Sequence, residues 1–213
     1  MVSGKANSSS RGRDRDRRQP AKPPLGEAEL RDLALSYAAR FASTGARLEA
    51  YLMRKLRARG MAEDGDGRMG AVDVPALVAR LVELGYVDDA AYARMRARDL
   101  GARGYGARRV EQALRAAGVD EEIRAAAAPG EAARRRAAVL MARKRRLGPF
   151  GPGPQGDPLA IRKAHEKAVA AMLRAGHDYA HVRFILDAES VSEVEAWCDG
   201  AADADEEGAD GSW

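Results

Sequence analysis

Residues 84–122, LGYVDDAAYARMRARDLGARGYGARRVEQALRAAGVDEE, carry the start and stop residues of two short helices together with seven arginines. Asp88 is placed to cap the first helix, and Gly104 follows its last turn. The second helix has Val110 and Leu114 four residues apart on one face. This stretch therefore predicts a helix, a glycine turn and a second helix.

The composition favours helices over sheet. The chain of 213 residues is rich in alanine, only 5% of its residues are aromatic, and long β-branched runs of period two are absent. Cys198 is the single cysteine, so no internal disulfide can form. The composition leads us to expect an all-α protein. Because the sequence contains neither a signal peptide nor an apolar run of about 18 residues, we expect it to be cytoplasmic and not to span a membrane.

Positive charge is concentrated in a few parts of the chain. The net charge is only +4, but residues 1–24 hold seven Lys or Arg, and no Lys or Arg follows Arg183. Two further concentrations lie at residues 94–115 and 134–146. Such clusters suit polyphosphate or an acidic protein surface. The alternative is that the arginines only solvate their helices.

Apolar periodicity and its interruptions divide the chain into five segments. Residues 1–25 contain hardly any large apolar side chain, so they are predicted to form a disordered basic arm. The last segment is acidic and is interpreted as a solubilising end, with shielding of the basic surface or mimicry of nucleic acid as the alternative. The other predicted bounds are 26–86 for helical repeat 1, 87–129 for helical repeat 2, 130–200 for helical repeat 3 with a Gly/Pro linker at 148–156, and 201–213 for the acidic disordered tail.

An internal repeat supports this division. RLEAYLMRKLRARG, residues 47–60, matches YGARRVEQALRAAG, residues 105–118, when both are aligned at their final glycines. This alignment places Leu52 over Val110. A weaker third copy is GHDYAHVRFIL, residues 176–186. Because units this small cannot close a core alone, they must stack on their neighbours, which predicts an elongated helical array.

The motifs of the middle unit resemble one protein family. L-G-Y-x-D-D, R-G-Y-G-x-R-R and L-R-x-x-G-V-D begin at residues 84, 103 and 114, and they are similar to motifs of the RecX family, bacterial regulators of the RecA recombinase. ARKRRLGPFGP and KAHEKAVAAMLRAGHDY also look like the last unit of that family. The resemblance covers approximately residues 28–187.

The resemblance implies a fold, a partner and a function. RecX proteins are built from tandem three-helix units and bind RecA filaments on single-stranded DNA. They thereby limit filament growth, ATP hydrolysis and strand exchange. By this resemblance we expect a monomeric, non-enzymatic negative modulator of RecA that acts in recombination and the SOS response. The alternative is a helical nucleic-acid-binding protein that acts independently of RecA.

Inhibition of this kind requires binding and no chemistry, and guanidinium groups can pair with phosphates or carboxylates equally well. Arg94 and Arg98 share one face of their helix by spacing, and Arg96 and Arg103 share another. Tyr105 could stack on a base or pack at the start of its helix. The four consecutive cations at 143–146 could contact a partner or complement the helix dipole. The predicted partner-binding residues are Arg94, Arg98, Arg103, Tyr105, Arg108, Arg109, Arg115, Arg143, Lys144, Arg145 and Arg146.

Catalytic and metal-binding motifs are lacking. The three histidines come with no Cys pair and no H-E-x-x-H motif, so no metal site is expected. Asp64 and Asp66 stand in EDGDGRMG, which lacks the later ligands of a calcium loop. GARGYG follows a helix rather than a strand, and no phosphate loop or nucleophile elbow occurs. We therefore expect no cofactor, and a hydrolase or nuclease would need a constellation that the sequence does not provide.

Overall fold

The computed structural model describes residues 23–62, 72–153 and 155–210, with side chains as far as residue 201. Within these residues it contains ten α-helices, one short 3-10 helix and no β-strand, and an isolated bridge pairs Leu25 with Met61. The predicted all-α class is therefore confirmed. Buried apolar side chains form three clusters that follow one another along the chain, so the molecule is an array of three helical units.

The first unit comprises α1 (Glu27–Arg40), α2 (Gly45–Arg59) and α3 (Val74–Glu83). Its largest buried side chains are leucines from α1 and α2 together with Leu25, which precedes α1. The Leu25 amide donates to Gly60 O at 2.9 Å, and its carbonyl accepts from the Ala62 amide at 3.0 Å. Residue 25, the last of the predicted basic arm, is thus part of the core, whereas residues 1–22 lie outside the described residues.

The second unit comprises α4 (Asp89–Ala102), α5 (Ala107–Arg115) and α6 (Glu121–Ala126). The predicted cap of α4 is present, since the Asp88 carboxylate accepts from the Ala91 amide at 2.7 Å. Asp120 begins α6 without a side-chain cap bond. The large core side chains come from α4, from α5 and from the segment before α6, and they are Tyr92, Leu100, Val110, Leu114 and Val119.

The third unit has one helix more than the others. It comprises α7 (Glu131–Arg145), α8 (Pro158–Arg174), α9 (Tyr179–Asp187) and α10 (Val191–Asp210). Helix α10 packs along α7, and at its start the Glu193 amide donates to Ser190 Oγ at 3.2 Å. The Glu193 carboxylate accepts from the Glu189 amide at 2.9 Å rather than from the Ser190 amide, so only one of the two bonds of a capping box is present. The buried residues that join these helices include Ala138, Met172, Val182, Ile185 and Val194.

The predicted linker at 148–156 begins with ordered structure. Gly148–Phe150 is a 3-10 turn against α9, and the Phe150 ring packs on the core of the third unit. Gly148 has a φ of 55°, and a Cβ there would lie 2.6 Å from Ile185 O. These three residues therefore pack on the third unit, because glycine allows the chain to approach the α9 backbone closely.

Helix α10 extends into the segment predicted to be the acidic tail. The backbone of α10 continues as a helix to Asp210, and Ala201 is buried. The alanines of this segment are strong helix formers, and they extend a helix that is already packed on α7. Residues 211–213 lie outside the described residues.

The structure shifts the predicted repeat alignment of the first unit by one turn. Each unit has a helix whose N-cap residue is followed, four positions later, by a buried side chain. These pairs are Thr44 and Leu48, Gly106 and Val110, and Asp178 and Val182. Leu48 rather than Leu52 is thus equivalent to Val110. The alignment by terminal glycines missed this because α2 is longer than α5, and a shift of four residues leaves the same helix face buried.

The first joint, between units 1 and 2, is held by polar side chains at the start of α2. Thr44 Oγ1 donates to Ala117 O at 2.5 Å, the Gly45 amide donates to the Asp89 carboxylate at 2.9 Å, and Arg47 Nη1 donates to Tyr92 OH at 2.6 Å. Burial raises the pKa of Asp89, while the Gly45 amide opposes that rise. No pair of described helices across this joint packs as extensively as α4 and α7 do across the next.

The second joint, between units 2 and 3, is formed largely by backbone. The Gly106 amide donates to Ala175 O at 3.0 Å, the Arg108 amide donates to Gly176 O at 3.2 Å, and His177 Nε2 lies 3.0 Å from Gly104 O. A Cβ at Gly106 would lie 2.2 Å from Gly176 O. The start of α5 therefore touches the turn between α8 and α9 directly, and this contact fixes the surface that α4, α5 and α7 share.

Candidate partner-binding surface

The arginines of α4 fall into two groups, as their spacing predicts. Asp99 binds Arg96 and Arg103, with N···O distances of 2.9 Å to each. Arg94 and Arg98 lie on the other face, and neither forms an ion pair with any carboxylate among the described residues. The charge of α4 that remains available to a partner is therefore that of Arg94 and Arg98.

These two arginines border a cavity of about 510 Å³ between α4, α5, α6 and α7. We call it the arginine groove. Its inner surface is formed by alanines of the four helices together with Val110 and Leu140. Its polar lining residues are Arg94, Arg98, Tyr105, Arg134 and Arg136. Unit 2 supplies one wall and unit 3 the other, so the groove exists because the second joint holds the two units together.

Tyr105 lies at the edge of the arginine groove. Its side chain is 38% exposed, and its amide donates to Leu100 O at 3.0 Å in the turn that ends α4. The ring is thus neither buried in the core nor fully in solvent. One side of it is available for a contact with a partner.

The three candidate arginines of α5 do not point in one direction. Arg108 and Arg115 border a second, shallower groove beside α6, and Arg115 Nη2 lies 3.4 Å from the Glu111 carboxylate. Arg109 lies against Gly176 of the third unit. The same Glu111 carboxylate accepts from Arg124 Nε at 2.9 Å. Arg108 and Arg109 form no ion pair with a described carboxylate, so they remain available.

The cations at the end of α7 lie beside the end of α4. Lys144 Nζ lies 3.5 Å from Arg103 O, so the two basic concentrations, which are separate in sequence, are adjacent in the fold. Arg143 is held by Glu195 at 2.6 Å, and its guanidinium lies over the Phe150 ring. Arg145 and Arg146 are exposed and make no ion pair with a described carboxylate. Cations in this last turn also complement the negative end of the helix dipole.

Sequence reasoning missed two groove residues. Arg134 and Arg136 belong to the recognised basic stretch 134–146, but only the fold shows that they face Arg94 and Arg98 across the groove. Arg134 Nη2 binds the Glu131 carboxylate at 2.8 Å, whereas Arg136 forms no ion pair within the described part of the chain. Their position depends on packing between units, which local spacing cannot reveal.

Sequence reasoning also missed that His177 and His181 are buried and take part in packing between helices. His181 Nε2 lies 3.0 Å from the Glu131 carboxylate, which Arg135 Nε also binds at 2.7 Å. The Arg135 guanidinium lies 4.5 Å from the centre of the Trp197 ring. Partial burial acts to raise the pKa of Glu131, but the contacts with Arg135 and His181 hold it below its ordinary value. This cluster ties α7 to α9 and α10.

His177 lies in the second joint. Burial lowers the pKa of this imidazole, although its bond to Gly104 O opposes that shift. Neutral imidazole can still donate through Nε2 to that carbonyl. His177 lies over Tyr105 when the third repeat copy is aligned with the second, so the alignment marks the position but not its burial.

The described residues contain no cluster of three or more His, Cys, Asp or Glu side chains that could hold a metal ion. Asp64 and Asp66 lie outside them. Among the helices that the structure describes, none is both long enough and apolar enough to cross a membrane. The described surface offers guanidinium groups and the apolar arginine groove for contacts with a partner.

Comparisons with known proteins agree on one family. The family described as "RecX, second three-helix domain" matches residues 88–127. A curated relative, "Regulatory protein RecX" of Myxococcus xanthus (strain DK1622), is 33% identical over 181 residues, which is 83% of this chain and 95% of that protein. The crystal structure of RecX from Lactobacillus salivarius matches 79% of this chain and 96% of its own with a TM-score of 0.56. At 18% identity that likeness shows the fold alone.

Proposed function

The chain belongs to the RecX family, and on that premise we propose that it is a negative modulator of RecA. It binds the RecA filament on single-stranded DNA and limits filament growth, ATP hydrolysis and strand exchange. The observation that carries this proposal is the 33% identity to a regulatory protein RecX across 95% of that relative's length. Its place of action is the cytoplasm, in recombinational DNA repair and the SOS response.

The exposed charge of the second and third units supports a binding role. Seven of the candidate cations make no ion pair with a described carboxylate, and Lys144 is the one of these that contacts a backbone carbonyl. The other six can contact a partner without first breaking an internal bond of the described residues. They are Arg94, Arg98, Arg108, Arg109, Arg145 and Arg146. Guanidiniums of this kind bind carboxylates and phosphates in forked geometry. We propose a non-enzymatic monomer that acts by competing with filament assembly and needs no cofactor.

The test is the ATP hydrolysis of RecA on single-stranded DNA, measured with this protein at concentrations far below those that would coat the DNA. Inhibition under these conditions is expected because a filament regulator acts on a growing assembly. If ATP hydrolysis is unchanged while RecA itself is active, the proposal is wrong.

A salt titration separates the proposal from DNA binding without RecA. Affinity that rests on phosphate contacts falls steeply as salt rises, because the counterions released on binding become more concentrated in solution. We expect binding to filaments to fall less steeply with salt than binding to bare single-stranded DNA. Tight, equally salt-sensitive binding to both, without inhibition of RecA, would favour a nucleic-acid-binding protein that ignores RecA.

A further inference from the structure

The arginine groove combines an apolar interior with a positively charged rim. None of the described residues that line it is Asp or Glu. Because alanine side chains end at Cβ, the four helices that surround the groove leave a volume of about 510 Å³ unfilled. Ligand pockets in proteins commonly measure about 300–1,000 Å³. The groove is thus large enough to take one or two apolar side chains of a partner.

Three of the four rim arginines lack an internal counter-charge among the described residues. Arg94, Arg98 and Arg136 make no ion pair with any described carboxylate, and Glu131 binds only Arg134 among the four rim arginines. An occupant that brings carboxylates to this rim would gain charge-assisted hydrogen bonds without displacing an internal partner. An occupant with cations would meet repulsion from both walls.

We propose that the arginine groove is a docking site for an acidic peptide segment of a partner protein. The segment inserts a large apolar side chain between α4 and α7, against Val110 and Leu140, and its flanking carboxylates bind Arg94, Arg98 and Arg136. The apolar inner surface favours peptide over nucleic acid, because sugar and phosphate groups would find no hydrogen-bond partner there. This inference does not depend on RecA being the partner.

The experiment measures binding of labelled synthetic peptides to the full chain by fluorescence anisotropy. Four peptides of equal length are compared: acidic with one tryptophan, acidic without it, neutral with the tryptophan, and basic with it. The acidic tryptophan peptide is expected to bind at least about tenfold more tightly than the other three, a difference of about 1.4 kcal/mol. Equal binding of the neutral peptide would overturn the proposal.

Two neighbouring residues of α6 provide a matched pair of variants. Ala126 lines the arginine groove and Ala125 does not, and both are exposed. Ala126→Glu places a carboxylate at the rim and is expected to weaken binding of the acidic peptide at least tenfold, by about 1.4 kcal/mol or more. Ala125→Glu, with the same charge on the same helix, should bind as the unchanged protein does. Equal affinities of the two variants would refute the groove as the site.

A second variant and a competitor complete the test. Arg98→Glu reverses one rim charge without altering the apolar interior, and it should also lose the acidic peptide; retained binding would count against the proposal. A short oligothymidylate should not displace the peptide. If the oligonucleotide displaces the peptide and its own binding is lost in Ala126→Glu, the groove would be assigned to nucleic acid instead. None of these assays contains RecA. Failure of the acidic peptide to bind would therefore leave the proposed function standing, and failure of the RecA test would leave the docking site standing.

Discussion

The two joints of the array are built from different groups. At the first joint, side chains at the start of α2 bond to the second unit, and the helices on the two sides pack little against each other. At the second joint, backbone amides and carbonyls of two turns bond directly, and α4 packs along α7. Removal of one polar side-chain group should therefore destabilise the first joint. Addition of one carbon atom should destabilise the second.

The largest effect is expected from Gly106→Ala. The added Cβ would lie 2.2 Å from Gly176 O and 2.5 Å from His177 N. Both are backbone atoms, so no change of side-chain rotamer can relieve the clash. We expect a loss of about 3 kcal/mol in the free energy of unfolding, with separation of units 2 and 3. Urea denaturation measures the loss, and amide exchange in α5 and α9 locates it. In the control Gly101→Ala, nothing lies within 4 Å of the new Cβ, and stability should rise by about 0.5–1 kcal/mol.

A smaller loss is expected at the first joint from Thr44→Val. The hydroxyl donates to Ala117 O and accepts from the Arg47 amide, and the residue is fully buried. Its removal leaves a buried carbonyl and an N-terminal amide of α2 without partners, at a cost of about 2 kcal/mol in urea denaturation. Thr44→Ser keeps the hydroxyl and should recover most of this loss. Equal losses for the two variants would show that the methyl group, rather than the hydrogen bonds, matters.

Tyr92→Phe should weaken the first joint by about 1 kcal/mol. It removes the hydroxyl that accepts from Arg47 Nη1 at 2.6 Å but keeps the ring beneath the guanidinium. The exposed Tyr86 offers a matched control, because the same change there removes no described hydrogen bond. A loss for Tyr86→Phe as large as that for Tyr92→Phe in thermal unfolding would contradict the assigned bond.

The second joint should respond to mild acid. Because burial lowers the pKa of His177, the unfolded chain binds more protons between that pKa and the ordinary value of about 6.5. The stability that His177 contributes is therefore present above pH 6.5 and is lost as the pH falls through the folded value. Asp178, which favours the charged imidazole, and His181, which opposes it, face the same group.

His177→Gln tests this response. Glutamine can place an amide nitrogen near the position of Nε2 but does not titrate. Between pH 7.5 and 5.5 the unfolding free energy of the variant should fall less than that of the unchanged protein. If urea denaturation shows that the unfolding free energies of the two proteins fall equally with pH, His177 does not cause the response. Because the pKa of Glu131 is lowered from a more acidic ordinary value, its contribution is lost only at lower pH.

The sequence predicted what depends on residues close together in the chain. The cap at Asp88, the glycine at the end of α4 and the face shared by Arg96 and Arg103 all involve neighbours within one or two turns. The family motifs of residues 84–122 also predicted the array of three-helix repeats, which the structure and the comparisons confirm.

The remaining features depend on contacts between units. The second joint consists mainly of backbone groups and glycines, together with the His177 side chain, and backbone groups carry no side-chain chemistry to recognise in a sequence. The arginine groove is lined mainly by alanines from four helices, so no local pattern marks it. Whether the eleven predicted residues bind a partner stays a prediction. The fold divides ten of them among the arginine groove, the groove beside α6 and the joined ends of α4 and α7, and it places Arg109 against Gly176.

The most direct test is whether inhibition of RecA by this protein requires the unpaired arginines of the middle unit. Arg94, Arg98, Arg108 and Arg109 are replaced together by alanine. The control replaces four exposed arginines elsewhere, so both proteins lose the same charge; these are Arg31, Arg80, Arg162 and Arg183.

Both variants are measured in RecA-catalysed ATP hydrolysis on single-stranded DNA, after circular dichroism has shown equal helicity. We expect the control to inhibit as the unchanged protein does and the middle-unit variant to need at least about tenfold more protein for the same inhibition. Equal inhibition by the two variants would contradict the central claim that the surface of the middle unit contacts the filament.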